Sequence, residues 1–286
     1  MKDAYEVAAL IWKTRLTRSD KDSLESLRQE EVLVAPGKYD RMQEVLDLLD
    51  IPYTQGVPDL KARRLAKLML VNCPGNVLEG HIAAVKRWVR LGGYLVTTDW
   101  AVRPLHSMFP NYIRWTGEST DDTTVELDSR DEAADSLTDE PETAERPVWW
   151  LEGSSYPFQV TEDVKILLTS QELKRRYGSS LVAVSWNYGQ GKVFHMISHL
   201  YLQRTDLRSV QSTATLQETG ATHGFDEDAL STLDDRLLTV TEGALTASLA
   251  SSGLLFDILL DTAKSKTEPE VSSPTRSRRS ARQWVD

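Results

Sequence analysis

The sequence predicts an α/β fold: an open, mostly parallel sheet flanked by helices, with an antiparallel hairpin at one side and added C-terminal helices. Three observations carry this. Short apolar runs without polar alternation, around Val32–Val34, in LMLVNCPGN at 68–76 and in YLVTTDW at 94–100, read as strands covered on both faces. Between them lie helical patterns, with Met42, Val45, Leu46 and Leu49 in one and Ile82, Val85, Trp88 and Val89 in the next. Finally, in SLVAVSWNYGQGKVFHMISHL two β-rich runs flank the glycine-bearing turn NYGQGK, which makes a hairpin.

In chain order, residues 4–28 read as one helix, with Tyr5, Ala8, Ala9, Trp12 and Leu16 at three- and four-residue steps. Pro36-Gly37 stops the first strand, IPYTQ supplies a second, Pro74-Gly75 breaks the third, and Gly92-Gly93 end the helix before the fourth. Strand–helix alternation of this kind implies a parallel sheet with helices on both faces. Residues 205–225 are polar and rich in Ser and Thr and read as a linker; 226–263 read as two helices, the second over about 241–263.

The chain has 286 residues, one cysteine and a formal net charge of −10. A single cysteine excludes a disulfide framework and a multi-cysteine zinc site, and suits a reducing cytoplasm. No leader pattern opens the chain, and no apolar run stands out as a membrane span, so no membrane partner is expected. Twelve acidic residues between Glu118 and Arg146, against Arg130 and Arg146 alone, account for the whole excess; this stretch reads as a solvated acidic loop. From Lys264 to Asp286 the balance reverses, with Arg276, Arg278, Arg279 and Arg282 in a tail expected to be disordered. The acidic balance disfavours nucleic acid as a partner, except through that arginine-rich tail. Trp284 in the tail is a candidate docking anchor.

The combination LMLVNCPGN, helix, VRLGGYLVTTDW and then YGQGKVFHMISH resembles the class I glutamine-amidotransferase-like superfamily, closest to its ThuA-like, non-amidotransferase branch. The likeness covers about residues 31–204. It implies a flavodoxin/amidotransferase-like domain there, between an N-terminal helical extension at 1–30 and the linker, C-terminal helices and tail at 205–263 and 264–286. In that family a cysteine nucleophile stands in a tight turn after a central strand; here the strand ends in Thr98-Asp99-Trp100. The family's histidine, followed two residues later by glutamate, matches His199, but residue 201 is tyrosine. The usual thiol route therefore lacks its nucleophile. Cys73 lies where the family places its oxyanion loop, and Pro74 removes one N–H donor there.

The residues alone offer further candidates. In an open parallel sheet the ligand crevice lies outside the carboxyl ends of the strands. Lys38, Tyr39, Asp40, Asn72, Thr98, Trp100 and Ser198 fall at those ends, as candidate ligand-binding residues. Trp149, Trp150, Glu152 and Tyr156 of WWLEGSSYP can close over the edge; adjacent tryptophans on a strand point to opposite sides, leaving one for a ligand or partner. Asp99 beside His199, with Cys73, is a candidate acid–base set for hydrolysis. His195 and His199 have a zinc-like spacing, but on a strand they stand about 13 Å apart, so no metal is expected, and no cofactor. GQGK at 189–192 is a turn between strands, not a phosphate loop. The sequence reading is thus a catalytically silent module that binds a ligand or protein within an intracellular assembly, joined to a partner or a second copy through the C-terminal helices. A hydrolase using Asp99, His199 and Cys73 is the alternative.

Overall fold

The computed structural model describes residues 1–57, 66–128, 147–200, 213–265 and 284–285. Helices α1 (Lys2–Arg15) and α2 (Arg18–Glu25) precede strand β1 (Val32–Ala35) and helix α3 (Met42–Leu48). There follow β2 (Thr54–Gln55), β3 (Leu68–Val71), α4 (Ile82–Arg90), β4 (Tyr94–Thr98) and α5 (Val102–Met108). Strands β5 (Ile113–Trp115), β6 (Thr123–Glu126), β7 (Val148–Leu151), β8 (Phe158–Thr161) and β9 (Lys165–Thr169) lead to α6 (Gln171–Tyr177). The hairpin strands are β10 (Leu181–Tyr188) and β11 (Gly191–Met196). Short helices α7 (Leu216–Thr219), α8 (Glu227–Ser231) and α9 (Asp235–Leu238) then precede the long α10 (Glu242–Lys264) and the two-residue strand β12 (Trp284–Val285).

The main sheet has seven strands in the order β2-β1-β3-β4-β11-β10-β9. β2, β1, β3, β4 and β11 run parallel, and the β10–β11 hairpin and β9 close the far side antiparallel. β3 and β4 are buried along their whole length, as the unalternating apolar runs require. Because β3, β4 and β11 are parallel neighbours, their carboxyl ends converge, and the segments after Val71, Thr98 and Met196 meet at one edge. Gly37 holds the loop after β1 against this edge: an added Cβ would stand 2.4 Å from the Cys73 carbonyl oxygen, which accepts from Lys38 N–H at 2.8 Å.

Several local expectations change. The first helix breaks at Leu16, where the backbone turns extended and Thr17 caps a new helix by accepting from Asp20 N–H. Within 213–225 the expected linker is instead α7 and a 3₁₀ turn, begun by a Thr215–Glu218 capping box and tied down by buried His223 against Glu242 at 2.9 Å. The first of the two C-terminal helices is broken in two, because Asp226, Asp234 and Thr241 each cap a fresh start. α10 is also long and apolar enough to cross a membrane by length and composition, contrary to the sequence reading. Here most of it is buried against α1, α2 and β7.

Within the acidic stretch, Thr123–Glu126 is not loop but a strand paired antiparallel with β7; 129–146 lie outside the described residues. In the basic tail 266–283 lie outside them too, but Trp284–Val285 pairs with β8, so this end of the expected disordered tail is ordered. Trp149 and Trp150 are both buried, and neither is free for a ligand. β7 packs against α10, so the strand has cover that a single-faced strand lacks.

Candidate functional site: a buried cluster at the strand ends

Asp99 follows the last residue of β4, at the turn into a short 3₁₀ segment and α5, with φ of +48°. That left-handed conformation costs a non-glycine residue roughly 1–2 kcal/mol, which Asp tolerates better than most. It turns the Asp99 carboxylate toward the segment after β11. His199 waits there, beyond a bend at Ile197-Ser198. Its Nε2 stands 3.3 Å from Asp99 Oδ2, and its Nδ1 donates to Glu152 Oε2. Cys73, just after β3, places Sγ 3.9 Å from the same Asp99 oxygen. Cys73, Asp99 and His199 are all buried. Glu152 is the member that reaches solvent, its side chain 24% exposed.

Surrounding groups fix these side chains. Asp99 Oδ1 accepts from Tyr156 N–H at 2.9 Å. Ser198 Oγ accepts from Glu152 N–H at 3.1 Å and lies 3.4 Å from Ser155 Oγ. Asp40 is buried behind the cluster, accepting from Thr98 Oγ1 at 2.6 Å and from Arg41 N–H at 2.8 Å. Burial pushes the Asp40 and Asp99 carboxyls up, against the pull of His199. Burial likewise raises the Cys73 thiol, although His199 opposes it. For His199 burial favours the neutral ring, but Asp99, Cys73, Glu152 and Asp40 together overcome it and hold the imidazole well above its usual range.

Outside the cluster stands an aromatic wall. Trp100 meets Tyr39 edge-on with ring centroids 5.3 Å apart and stacks on Tyr156, also at 5.3 Å; Tyr156 in turn stacks on Trp115 at 4.3 Å. The Trp100 indole donates to the Ser154 carbonyl at 2.6 Å, which ties the wall to the 152–156 loop. Lys38 lies over Tyr39 at 5.2 Å and Arg103 over Trp115 at 6.0 Å. A cleft of about 300 Å³ opens beside this wall, lined by Pro74, Glu79, Trp100, Arg103 and Tyr156 among others. Two of its lining residues are chain neighbours of cluster members, and a third, Tyr156, bonds to Asp99.

The structure thus brings together Cys73, Asp99, His199, Glu152, Ser198, Asp40 and Thr98, and sets Lys38, Tyr39 and Trp100 on the surface beside them. Asn72 serves a different purpose: its Oδ1 accepts from Met42 N–H at 3.0 Å and its Nδ2 donates to Gln43, so it anchors the start of α3. Trp150 is buried in β7. His195 does not join His199; it is buried within β11, 2.9 Å from Thr97 Oγ1, and burial lowers it to about 3. Sequence reasoning assigned no role to Ser155 and did not see that Glu152 is His199's partner. Glu152 reaches His199 from a loop 47 residues upstream. No short-range spacing signals such a contact.

No family model and no curated protein matches the sequence. Solved structures do. A glutamine amidotransferase from Thermotoga maritima is 12% identical, with a TM-score of 0.47 over 84% of this chain and 100% of that one. A ThuA-like protein from Bacteroides uniformis is 9% identical, with a TM-score of 0.40 over 60% of this chain and 83% of that one. A GH42 β-galactosidase from G. stearothermophilus is 14% identical, with a TM-score of 0.40 over 59% of this chain and only 27% of the galactosidase. The chain is similar in fold to class I glutamine-amidotransferase-like and ThuA-like proteins. At these identities and TM-scores the likeness concerns the course of the chain and says nothing of activity.

Proposed function

We propose that the protein is a hydrolase acting on a small molecule, with its bond-breaking centre in the Cys73, Asp99, His199 and Glu152 cluster. One observation carries the reading: a single imidazole is clasped between two carboxylates, one of them on a left-handed residue at a strand-to-helix corner. Strained backbone and crowded titratable groups cluster at reactive sites more than elsewhere. Glu152 on Nδ1 fixes the ring's orientation and directs Nε2 at the cluster interior, as an orienting acid does in hydrolytic triads. Asp99 takes the proton of the water that adds to the substrate's carbonyl carbon. Protonated His199 gives its Nε2 proton to the leaving oxygen or nitrogen as the C–O or C–N bond breaks, so that the product departs toward the cleft beside Trp100 and Tyr156. A reducing cytoplasm suits the lone thiol.

The test is hydrolysis of chromogenic ester and amide panels by the full chain, with Asp99→Asn and His199→Gln as variants. Loss of on the order of 100-fold or more in kcat/KM, with folding retained, supports the reading. A wild-type chain with no turnover above either variant removes it.

A second reading keeps the chain as a catalytically silent module binding a ligand or protein partner. The burial of Cys73, Asp99 and His199 favours it. It predicts that both variants leave binding to the Trp100–Tyr156 cleft intact.

A further inference from the structure

We propose that Cys73 Sγ, Asp99 Oδ2 and His199 Nε2 form a three-ligand site for a divalent transition metal, zinc foremost, with the fourth position open. The three donor atoms lie within 4.8 Å of one another. In tetrahedral zinc sites, bonds of about 2.05 Å to N or O and about 2.3 Å to S set the donor spacing at about 3.3 Å for N···O and about 3.6 Å for S···O. The observed separations are 3.3 Å from Nε2 to Oδ2 and 3.9 Å from Sγ to Oδ2. The third pair, Sγ and Nε2, lies within 4.8 Å, so an ion fits once the thiol moves in toward the other two donors.

Two features of the His199 ring point at a ligand rather than a mere huddle of side chains. The buried His199 Nε2 makes no aligned hydrogen bond, although it faces two potential partners. Trp149 Nε1, Trp186 Nε1, His195 Nε2 and His223 Nδ1 are also buried without a partner; what sets His199 Nε2 apart is that it faces two other atoms able to ligate an ion. On the other ring nitrogen, Glu152 accepts from Nδ1. That is the carboxylate–histidine–metal arrangement, in which the second carboxylate fixes the tautomer and leaves Nε2 to the ion. The donor set of thiolate, imidazole and carboxylate suits zinc or cobalt and not the hard, all-oxygen cations. Asp40 is no ligand, because both its oxygens are taken by Thr98 and Arg41. Each ligand comes from the end of a different strand, β3, β4 or the segment after β11, so the parallel sheet itself sets the spacing.

Three protein ligands and an open position are the pattern of catalytic zinc, which lowers the pKa of bound water to about 7. That use of the ion rests on the hydrolase reading; the binding of the ion does not.

The test is titration of the chelator-dialysed full chain with Co²⁺, followed by its displacement with Zn²⁺. The expected result is one equivalent of cobalt, with the intense visible bands of a tetrahedral ion and a near-ultraviolet thiolate charge-transfer band, both lost on adding zinc. Cys73→Ser abolishes the charge-transfer band, and Glu152→Gln weakens affinity about 10–100-fold. The cobalt spectrum is read on the wild-type chain, so it decides the matter even where a variant misfolds. No thiolate band, or binding that Cys73→Ser leaves unchanged, overturns the site. Cobalt held through the thiolate in a chain without turnover leaves the site and removes the hydrolase. Turnover in a metal-free chain that shows no band does the reverse.

Discussion

Polar groups are buried in two regions of this molecule on opposite terms. At the seam between α1 and α10, neutral groups meet neutral groups. Tyr5 Oη pairs with Ser251 Oγ at 2.7 Å, the Trp12 indole donates to Ser252 Oγ at 3.1 Å, and Ser248 Oγ donates to the Ala4 carbonyl at 2.9 Å. At the strand ends, three carboxyls and a thiol crowd one imidazole, and its Nε2 is left without an aligned partner. The seam is what a fold needs in order to bury polar atoms cheaply. The cluster costs desolvation and backbone strain.

The largest effect expected is at the seam. Trp12→Ala removes a buried ring packed on Phe256 with centroids 5.8 Å apart, together with its hydrogen bond, and loses about 3–5 kcal/mol in denaturant unfolding. A loss under about 1 kcal/mol would mean that α10 does not depend on α1.

His195 sharpens the contrast, because four residues before His199 it meets the neutral Thr97 hydroxyl rather than a carboxylate and stays neutral, although its Nε2 too lacks a partner. Burial lowers it to about 3 in the folded chain, below the 6.5 of a free imidazole. The unfolded chain takes up that proton first as pH falls. The stability this residue contributes is complete above pH 6.5 and disappears as pH drops toward 3. In unfolding curves over that range, His195→Gln flattens the slope by about one proton. An unchanged slope would place a charged imidazole at this position.

At the seam the smaller effect is Tyr5→Phe. It removes one neutral hydrogen bond, leaves Ser251 bonded to the Ala247 carbonyl at 2.9 Å, and lowers stability by about 1 kcal/mol.

Much of the fold was legible because its signals are local. Apolar strands lacking alternation, the glycines and prolines that end them and the NYGQGK turn each mark an element within ten residues. Val32–Ala35, Leu68–Val71 and Tyr94–Thr98 sit where those signals put them. The cluster was half legible. Asp99, His199 and Cys73 stood out because parallel strands deliver their carboxyl ends to one edge. Glu152 was seen only as part of a covering loop, since its pairing with His199 depends on how β7 leaves its sheet. Asn72 misled: an amide at a strand end caps a helix as readily as it meets a ligand. The two tryptophans misled in another way, because α10, distant in sequence, covers the strand that carries them.

Equilibrium unfolding of Asp99→Asn puts the main contention to the hardest test and needs no substrate. If the cluster is kept for chemistry, removing one of its crowded carboxylates leaves Glu152 and Asp40 to balance His199, and Asn still tolerates the left-handed turn. The variant then unfolds within about 1 kcal/mol of the wild type, or is more stable. A loss of about 3–5 kcal/mol, the usual penalty for stranding a buried partner charge, would show that Asp99 is there to hold the fold together.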